Sequence, residues 1–355
     1  MSLATATRPI NHLTKICSSS LVLPTPRRAY AIQAPGAPIA HVFNNTQKTS
    51  QRSRAALNPS LSRSVDYVRD EIGTRLVTRL LDIPRHFDRV LDYGASSCHL
   101  ARLLTTPNPD PDSSRPVSDP LASRIGHITC ADASHASLHR DAGQEWESSL
   151  SLTRTVLPHP EATPFPENEF DLALSCGALH WLNDLPGVLA GLNRALRPDA
   201  PLLAAMPGGD SLFELRGALQ LADLERRGGI ATHVSPLADV RDVGNLLTRA
   251  GFKLLTVDVD DLIVDYPDVM ALMRDLQAMG EGNASLRMDP GPMSRDVMLA
   301  VDAIYQELYG DENGNIPATF RTIYMIGWKE GEGQAKPLPR GSGDVNMKDF
   351  FEGKK

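Results

Sequence analysis

The stretch Arg89–Leu100, RVLDYGASSCHL, decides the fold, because a short apolar run ends there at Asp92, turns at Gly94 and leads into a helix. Such a turn presents backbone N–H groups and a helix N-terminus to a ligand, and a carboxylate at the strand end accepts hydrogen bonds from hydroxyl or ammonium groups. The stretch therefore predicts a nucleotide-like cofactor site. An ordinary β–α turn remains the alternative, since one glycine stands where such loops carry two or three.

Apolar runs and helical periodicity alternate on both sides of this stretch. A helix is predicted from Val65 to Leu80, and the predicted strands are Arg89–Tyr93, Arg124–Ala131, part of Leu152–Leu157, Phe170–Ser175, Ala200–Met206, Phe252–Tyr266 and Phe320–Trp328. This alternation predicts a parallel sheet covered on both faces. Ligands of such sheets bind beyond the carboxyl ends of the strands. The side chains predicted at that edge are Asp92, Gly94, Asp132, Glu161, Ser175 and His180.

The N-terminal region differs in composition from the rest of the chain. Its first 65 residues contain no Asp or Glu but carry eight Lys and Arg among many Ser, Thr and Ala, which is typical of a mitochondrial presequence. The tripeptide Arg28-Ala29-Tyr30 before Ala31 predicts cleavage after Tyr30. We therefore expect a transit peptide over residues 1–30 and a flexible basic linker over residues 31–63. A basic arm of a cytosolic protein is the alternative.

Charge and cysteine usage exclude several classes of protein. Without those eight basic residues the formal charge moves from −7 to about −15, which argues against general affinity for nucleic acid. The three later cysteines form no CxxC pair and are expected to be reduced and buried. No apolar run approaches the roughly 18 residues that a membrane span needs, so any membrane association is expected to be peripheral or through a partner.

The remaining segments divide the chain further. Residues 64–330 are expected to form one domain, with a disordered Pro-, Ser- and Asp-rich insertion over residues 105–123, lid or partner-binding helices over residues 207–310, and a polar tail over residues 331–355. Asp184 is predicted to cap one helix, and Asp210 or Ser211 to cap another. Asp210, Glu214 and Arg216 are expected near the mouth of the site. The acidic side chains there either pair with a substrate guanidinium or, with Arg216, serve as helix caps and surface ion pairs.

Several blocks carry a family resemblance. PF-x-EN-x-FDL, LHW and LNRALRPDA between Phe165 and Ala200 resemble class I S-adenosylmethionine-dependent methyltransferases, particularly relatives of the malonyl-carrier-protein methyltransferase. MPGGDSLFELR, LMRDLQAMGEGNA and IPATFRTIYMIGW resemble the mitochondrial complex I assembly factor 5 family, which are methyltransferase-like arginine hydroxylases. The resemblance implies a Rossmann-like α/β fold with a seven-stranded sheet, whose antiparallel last strand is inserted beside the sixth, and with helical insertions in the C-terminal half.

The resemblance also implies S-adenosylmethionine as the cofactor. The residues at the family's cofactor-binding positions are Asp92, Tyr93, Gly94, Ala95, Ser96, Asp132, Pro160, Glu161 and Ser175, and of these Asp92, Gly94, Asp132 and Glu161 match the family pattern. The chain departs from the family pattern at Ser96, where the family has glycine. If that position needs positive φ, a non-glycine residue there costs about 1 to 2 kcal/mol.

His180 and Trp181 are the candidate catalytic residues, because they follow the fourth strand where such a fold opens toward substrate. His180 would act as a base or orient the substrate; packing of the LHW loop is the alternative. No metal site is expected. His135 and His139 have helical i, i+4 spacing, but a solvated helix face explains them without a metal.

The family resemblance implies a matrix enzyme that hydroxylates an arginine of the small iron–sulfur subunit in the quinone-binding arm of complex I. It implies further assembly factors as partners, and a place on the matrix face of the inner membrane. Two alternatives remain open. One is a true methyltransferase acting on a small acid, a carrier protein or a protein side chain, and the other is a non-catalytic assembly chaperone whose cofactor loop is degenerate.

Overall fold

A computed structural model describes residues 41–106, 120–286 and 293–334. The predicted transit peptide with its cleavage after Tyr30, most of the predicted insertion and most of the polar tail lie outside these residues. The part of the insertion that is described, from Pro120, is ordered and forms a short 3-10 helix over Leu121–Arg124.

One seven-stranded sheet organises the described chain. Its strands are β1 Phe87–Tyr93, β2 Ile125–Asp132, β3 Leu152–Val156, β4 Leu172–Cys176, β5 Pro201–Pro207, β6 Phe252–Tyr266 and β7 Ile316–Lys329. Their order across the sheet is β3-β2-β1-β4-β5-β7-β6. The first five strands pair in parallel, and β7 runs antiparallel between β5 and β6. The predicted fold class, including the inserted antiparallel last strand, is confirmed.

Alternation along the central strands explains why helices cover both faces. Val90 and Leu174 belong to one buried cluster, whereas their chain neighbours Leu91 and Ala173 belong to the cluster on the opposite face. Because successive side chains of a strand point to opposite faces, a strand that is apolar at every position needs cover on both. The helices that provide this cover, together with those at the sheet edge, are α1 Asn45–Ala56, α2 Pro59–Ser64, α3 Tyr67–Leu81, α4 His99–Thr105, α5 His135–Leu138, α6 Leu185–Ala195, α7 Phe213–Arg227, α8 Val240–Arg249, α9 Val269–Ala278 and α10 Arg295–Tyr309.

Two helix starts were predicted, with different outcomes. Asp184 caps α6, because its carboxylate accepts from the Gly187 N–H at 2.9 Å. The predicted cap of α7 is wrong: Leu212 holds the cap position, at a φ of +54°, and makes no side-chain cap bond. Ser211 instead donates its hydroxyl to the Arg321 carbonyl at 2.6 Å, and the Asp210 carboxylate pairs with the Arg321 guanidinium.

The expected flexible linker over residues 31–63 is wrong from residue 41 onward, since α1 and α2 are formed there. Asn44 caps α1 and Asn58 caps α2, each accepting a backbone N–H on its side-chain oxygen. The Asn183 side chain holds the entry to α1 by accepting from the N–H groups of Val42 and Phe43, both at 2.8 Å. The buried face of α1 is polar and charged, so it lacks the apolar periodicity that would predict a packed helix.

The three cysteines beyond the presequence, Cys98, Cys130 and Cys176, are free and buried, as expected. No helix among the described residues is long and apolar enough to cross a bilayer.

Candidate active site

The turn after β1 is built on a close backbone approach. Gly94 has a φ of +71°, and a Cβ atom at this position would lie 2.1 Å from the Cβ of Ala178, in the loop after β4. Glycine is therefore required both by the left-handed conformation and by the space. This contact brings the loops after β1 and β4 together at the carboxyl edge of the sheet.

Ser96 adopts a φ of +50°, so the expected positive φ is present at this non-glycine position. Its backbone N–H donates to Asp132 Oδ2 at 3.0 Å, and the Ser134 N–H donates to Asp132 Oδ1 at 2.7 Å. The buried Asp132 carboxylate therefore ties the loop after β1 to the loop after β2. Each carboxylate oxygen keeps capacity for a further hydrogen bond.

Ser96→Gly is expected to raise the free energy of unfolding by about 0.5 to 1 kcal/mol, measured by urea denaturation. The change removes about 1 to 2 kcal/mol of left-handed strain and adds the smaller entropic cost of glycine. It keeps the backbone N–H that Asp132 accepts. Ser97→Gly is the matched control: Ser97 is a neighbouring buried serine outside the positive-φ positions, and glycine there should lower stability. Equal losses of stability in Ser96→Gly and Ser97→Gly would contradict backbone strain at Ser96.

Asp92 is the most unusual carboxylate of the sheet edge. It is fully buried at the end of β1, and neither of its carboxylate oxygens has a hydrogen-bond partner. Burial, and secondarily the nearby Asp132 carboxylate, raise the pKa of Asp92 to about 8. A group with this environment suits a ligand that carries an ammonium or a hydroxyl group.

A small cavity, which we term the turn cavity, opens above this turn. It has a volume of about 40 Å³, and its walls are Asn45, Lys48, Thr49, Arg52, Tyr93, Gly94, Asp132, Ala133, Ser134, Leu157, Pro160, Ala178, Trp181 and Leu182. The glycine turn, the carboxylate of Asp132 and the apolar side chains of Leu157 and Leu182 fit the amino-acid, ribose and base parts of S-adenosylmethionine, respectively. Cofactor sites usually enclose roughly 300 Å³ or more, so the turn cavity must widen before such a group enters.

The structure brings only some of the predicted cofactor residues to this cavity. Tyr93, Gly94, Asp132 and Pro160 line it, and the Tyr93 hydroxyl donates to the Pro160 carbonyl at 2.6 Å. The others lie elsewhere: Asp92, Ala95 and Ser175 are buried away from the walls, and Ser96 lies on the α3 side of the turn. The Ser175 hydroxyl donates to the Tyr93 carbonyl at 2.8 Å and so holds the strand end in place.

Glu161 contacts α1. Its Oε1 accepts from Asn45 Nδ2 at 2.8 Å and from the Asn183 N–H at 2.7 Å. Although burial alone would raise the pKa of Glu161, these hydrogen bonds lower it. Through these hydrogen bonds, Glu161 anchors the N-terminus of α1 next to the turn cavity.

A second and larger cavity, which we term the apolar cavity, lies at the carboxyl ends of β4 and β5. Its volume is about 280 Å³, and most of its wall is aliphatic, with side chains such as Val68, Ile72, Leu215, Leu219, Met273 and Leu276. His180 lines this cavity, and Trp181 lines both cavities. The two cavities therefore meet at Trp181, as expected of a cofactor site next to a substrate site.

Glu281 joins the two candidate catalytic residues. Its Oε2 accepts from Trp181 Nε1 at 2.6 Å and lies 3.4 Å from His180 Nε2. Burial lowers the pKa of His180, against the opposing hydrogen bond to Glu281, so the ring is neutral near neutral pH. His180 Nδ1 is buried without a partner and remains available to a substrate atom.

Three cations surround Glu281, two from α1 and one from α3, Arg69, whose Nη2 lies 3.8 Å from Glu281 Oε1. Lys48 Nζ lies 3.3 Å from Glu281 Oε2 and 3.4 Å above the centre of the Trp181 ring, and Arg52 Nη2 donates to Glu281 Oε1 at 3.0 Å. Burial lowers the pKa of Lys48 to about 7, against the opposing attraction of Glu281. Burial alone would raise the pKa of the Glu281 carboxyl, but the attraction of Lys48 and Arg52 holds it well below its usual range.

The sequence analysis missed the roles of Lys48, Arg52 and Glu281. Asn44 and Asn58-Pro59 are helix-start patterns that could have revealed α1 and α2. No local pattern marks Glu281, which lies in the loop after α9.

Asp210, Glu214 and Arg216 do not line the apolar cavity. Asp210 pairs with Arg321, which is the predicted surface ion-pair alternative. Glu214 is buried and accepts from the Thr319 N–H and hydroxyl groups. Arg216 donates to the Gly209 carbonyl at 3.1 Å.

His135 and His139 stack with ring centroids 4.1 Å apart on an exposed face, as expected for the solvated-helix alternative. Within the described ranges, no group of three or more His, Cys, Asp or Glu side chains is placed to hold a metal ion.

Comparison with known proteins adds to this geometry. A profile described as a methyltransferase domain matches residues 66–257. The chain is 42% identical over 310 residues to "Arginine-hydroxylase NDUFAF5, mitochondrial" of Danio rerio, covering 87% of this chain and 89% of that protein. The human protein of the same name is 41% identical, with 86% and 82% covered. A malonyl-[acyl-carrier protein] O-methyltransferase of Laribacter hongkongensis is 33% identical, with 73% and 82% covered.

Proposed function

The chain belongs to the NDUFAF5 arginine-hydroxylase family, and on this premise we propose that it hydroxylates an arginine side chain of a client protein, with S-adenosylmethionine as its cofactor. The observation that carries the proposal is the meeting of the turn cavity and the apolar cavity at Trp181. One cavity has walls suited to an adenosyl group, and the other has the aliphatic wall that a long side chain needs.

Within this proposal the residues have distinct tasks. The Gly94 turn and Asp132 would hold the amino-acid and ribose parts of the cofactor, and Leu157 and Leu182 would pack on its base. S-adenosylmethionine supplies an electrophilic sulfonium centre when bound. His180, neutral and unpartnered at Nδ1, would orient the substrate or accept its proton, and the Trp181 ring would exclude water where the cavities meet.

The proposed client protein and subcellular location follow from the family resemblance. The proposed client is the small iron–sulfur subunit of the quinone-binding arm of complex I, met on the matrix face of the inner membrane together with other assembly factors. The relatives are named mitochondrial, and the basic N-terminal region without acidic residues agrees with that location. The acidic body agrees with a protein client rather than a nucleic acid.

Mass spectrometry of the client subunit, with and without this protein, tests the proposal. We expect a gain of one oxygen atom on an arginine that disappears in the deletion background. Inserting oxygen into a C–H bond needs an activated oxygen species, so the experiment is repeated under isotopically labelled O₂ and in labelled water to identify the oxygen source. An unmodified arginine in both backgrounds would contradict the proposal.

Methyl transfer is the second candidate, favoured by the 33% identity to the malonyl-carrier-protein methyltransferase. The same mass measurement separates the two reactions, because methylation adds CH₂ instead of oxygen.

A non-catalytic chaperone is the third candidate, favoured by the presence of α1 side chains in the turn cavity. Calorimetric titration with S-adenosylmethionine separates it from both enzymes: the enzymes require saturable binding of the cofactor, and a vestigial site gives none.

A further inference from the structure

Arg52 lies where the two cavities meet. Its Nη2 donates to the Gly177 carbonyl at 2.7 Å and to Glu281 Oε1 at 3.0 Å. Gly177 and Glu281 both line the apolar cavity, whereas Arg52 reaches them from α1, along the wall of the turn cavity. The guanidinium of an arginine of this chain therefore lies at the point where a substrate group would meet the cofactor.

The acceptors around Arg52 form a site suited to a guanidinium. Among the described residues that line the apolar cavity, Glu281 is the only one with a carboxylate. Arg69 of α3 also lines it, with its Nη2 3.8 Å from Glu281 Oε1, and the rest of the wall is mainly aliphatic. An arginine side chain has the matching character, since its three methylenes are apolar and its planar head carries N–H donors in a fixed fork.

The contacts of Arg52 are incomplete, so another guanidinium can improve on them. A single nitrogen, Nη2, makes both of these hydrogen bonds, and the buried Nε has no partner. An arginine entering from the apolar cavity can place one nitrogen on Glu281 Oε1 and a second on the Gly177 carbonyl, and a guanidinium that uses two nitrogens in this way is held more strongly than one that uses a single nitrogen.

Lys48 has a different role, although it also contacts Glu281. Its Nζ donates to the carbonyl groups of Gly280 at 2.8 Å and Gly282 at 3.1 Å, and it lies over the Trp181 ring. These contacts anchor α1 to the loop after α9. Lys48 can therefore keep its place while Arg52 is exchanged.

We propose that Glu281 and the Gly177 carbonyl form the guanidinium subsite for the client arginine, and that Arg52 occupies this subsite as an internal stand-in until the client displaces it. The proposal rests on the proposed arginine-modifying function and names the residue that selects the substrate. It also gives α1 a regulatory role. Client binding frees Arg52, and the loss of its contacts weakens the packing of α1, the helix that lines the turn cavity.

The test uses the full chain with Arg52→Ala and small probes, followed by thermal unfolding. We expect propylguanidine at millimolar concentration to restore much of the stability that the variant loses, and to bind it at least tenfold more tightly than wild type. Propylamine, which carries a charge without the planar fork, should not restore stability. Lys48→Ala is the matched control and should not respond to propylguanidine. An equal response of wild type and Arg52→Ala, or an equal effect of propylamine, would overturn the proposal.

Two further measurements keep the test decisive. If Arg52→Ala fails to fold, Arg52→Lys retains the charge and should show the same selective response, which the added change Glu281→Gln should abolish. In wild type, N-acetylarginine amide should increase hydrogen exchange in residues 45–56, and N-acetyllysine amide should not; unchanged exchange would contradict displacement. Guanidinium binding without oxygen transfer to the client would contradict the proposed function but not the subsite. Oxygen transfer without guanidinium binding would contradict the subsite but not the proposed function.

Discussion

Asp92→Asn is expected to stabilise the protein at alkaline pH and to flatten its stability profile. Burial raises the pKa of Asp92 to about 8, so between about pH 4 and pH 8 the folded state holds a proton that the unfolded state has lost. Stability therefore falls as pH rises through this window. Asparagine resembles the protonated carboxyl in shape and charge, and it removes the titration.

The expected difference between the variant and wild type grows by on the order of 3 kcal/mol between about pH 5.5 and about pH 8, from roughly 1.4 kcal/mol per pH unit. Urea unfolding at the two pH values measures it. Asp88→Asn is the control, because Asp88 lies in the same strand with an exposed side chain and should not alter the profile. Parallel profiles for wild type and Asp92→Asn would show that Asp92 is ionised in the fold. If the ammonium of a bound cofactor lies close to Asp92, the cofactor should reduce the slope in wild type.

Glu281→Ala is expected to lower the free energy of unfolding by about 3 to 5 kcal/mol, the usual cost of removing one partner from a buried ion pair. Glu281 accepts hydrogen bonds from Lys48, Arg52 and Trp181. Its removal leaves these donors in a site where Lys48 and Arg52 are almost inaccessible to water. We expect the loss in urea denaturation, together with faster proteolysis near α1.

Two comparisons sharpen this experiment. Asp258→Ala removes an exposed ion pair with Arg79 and should cost less than about 1 kcal/mol. The double variant Arg52→Ala/Glu281→Ala should lose clearly less than the sum of the two single variants, because the second change removes the charge left unpaired by the first. Additive losses would show that Arg52 and Glu281 do not interact in solution.

Glu281 holds α1 through Lys48 and Arg52, and it also holds the two candidate catalytic residues, His180 and Trp181. A change at this carboxylate therefore affects both cavities at once. A Glu281 variant loses both stability and binding, so its effects on the two are difficult to separate. Arg52→Ala separates them, because it is expected to lose stability but to bind a guanidinium probe more tightly.

The strands and their arrangement could be predicted because the information is local. Alternating or continuous apolar runs mark each strand, and the single Gly94 marks the tight turn. The strand bounds are correct to within a few residues, and β6 Phe252–Tyr266 is as predicted. The carboxyl edge then follows from the parallel order, which is why Tyr93, Gly94, Asp132 and Pro160 meet at one cavity.

The sequence by itself determined the strands and the turn at Gly94, because each depends on neighbours in the chain. The antiparallel last strand and the departure at Ser96 followed from the family resemblance. The tertiary structure alone decided that α1 packs as a helix and that Arg52 meets Glu281, 229 residues away. A buried charge carries no hydrophobic periodicity, and it is stabilised only by a partner that the fold brings to it. Trp181, where the two cavities meet, was predicted from the sequence, whereas its contacts with Lys48 and Glu281 became visible only when the chain was folded.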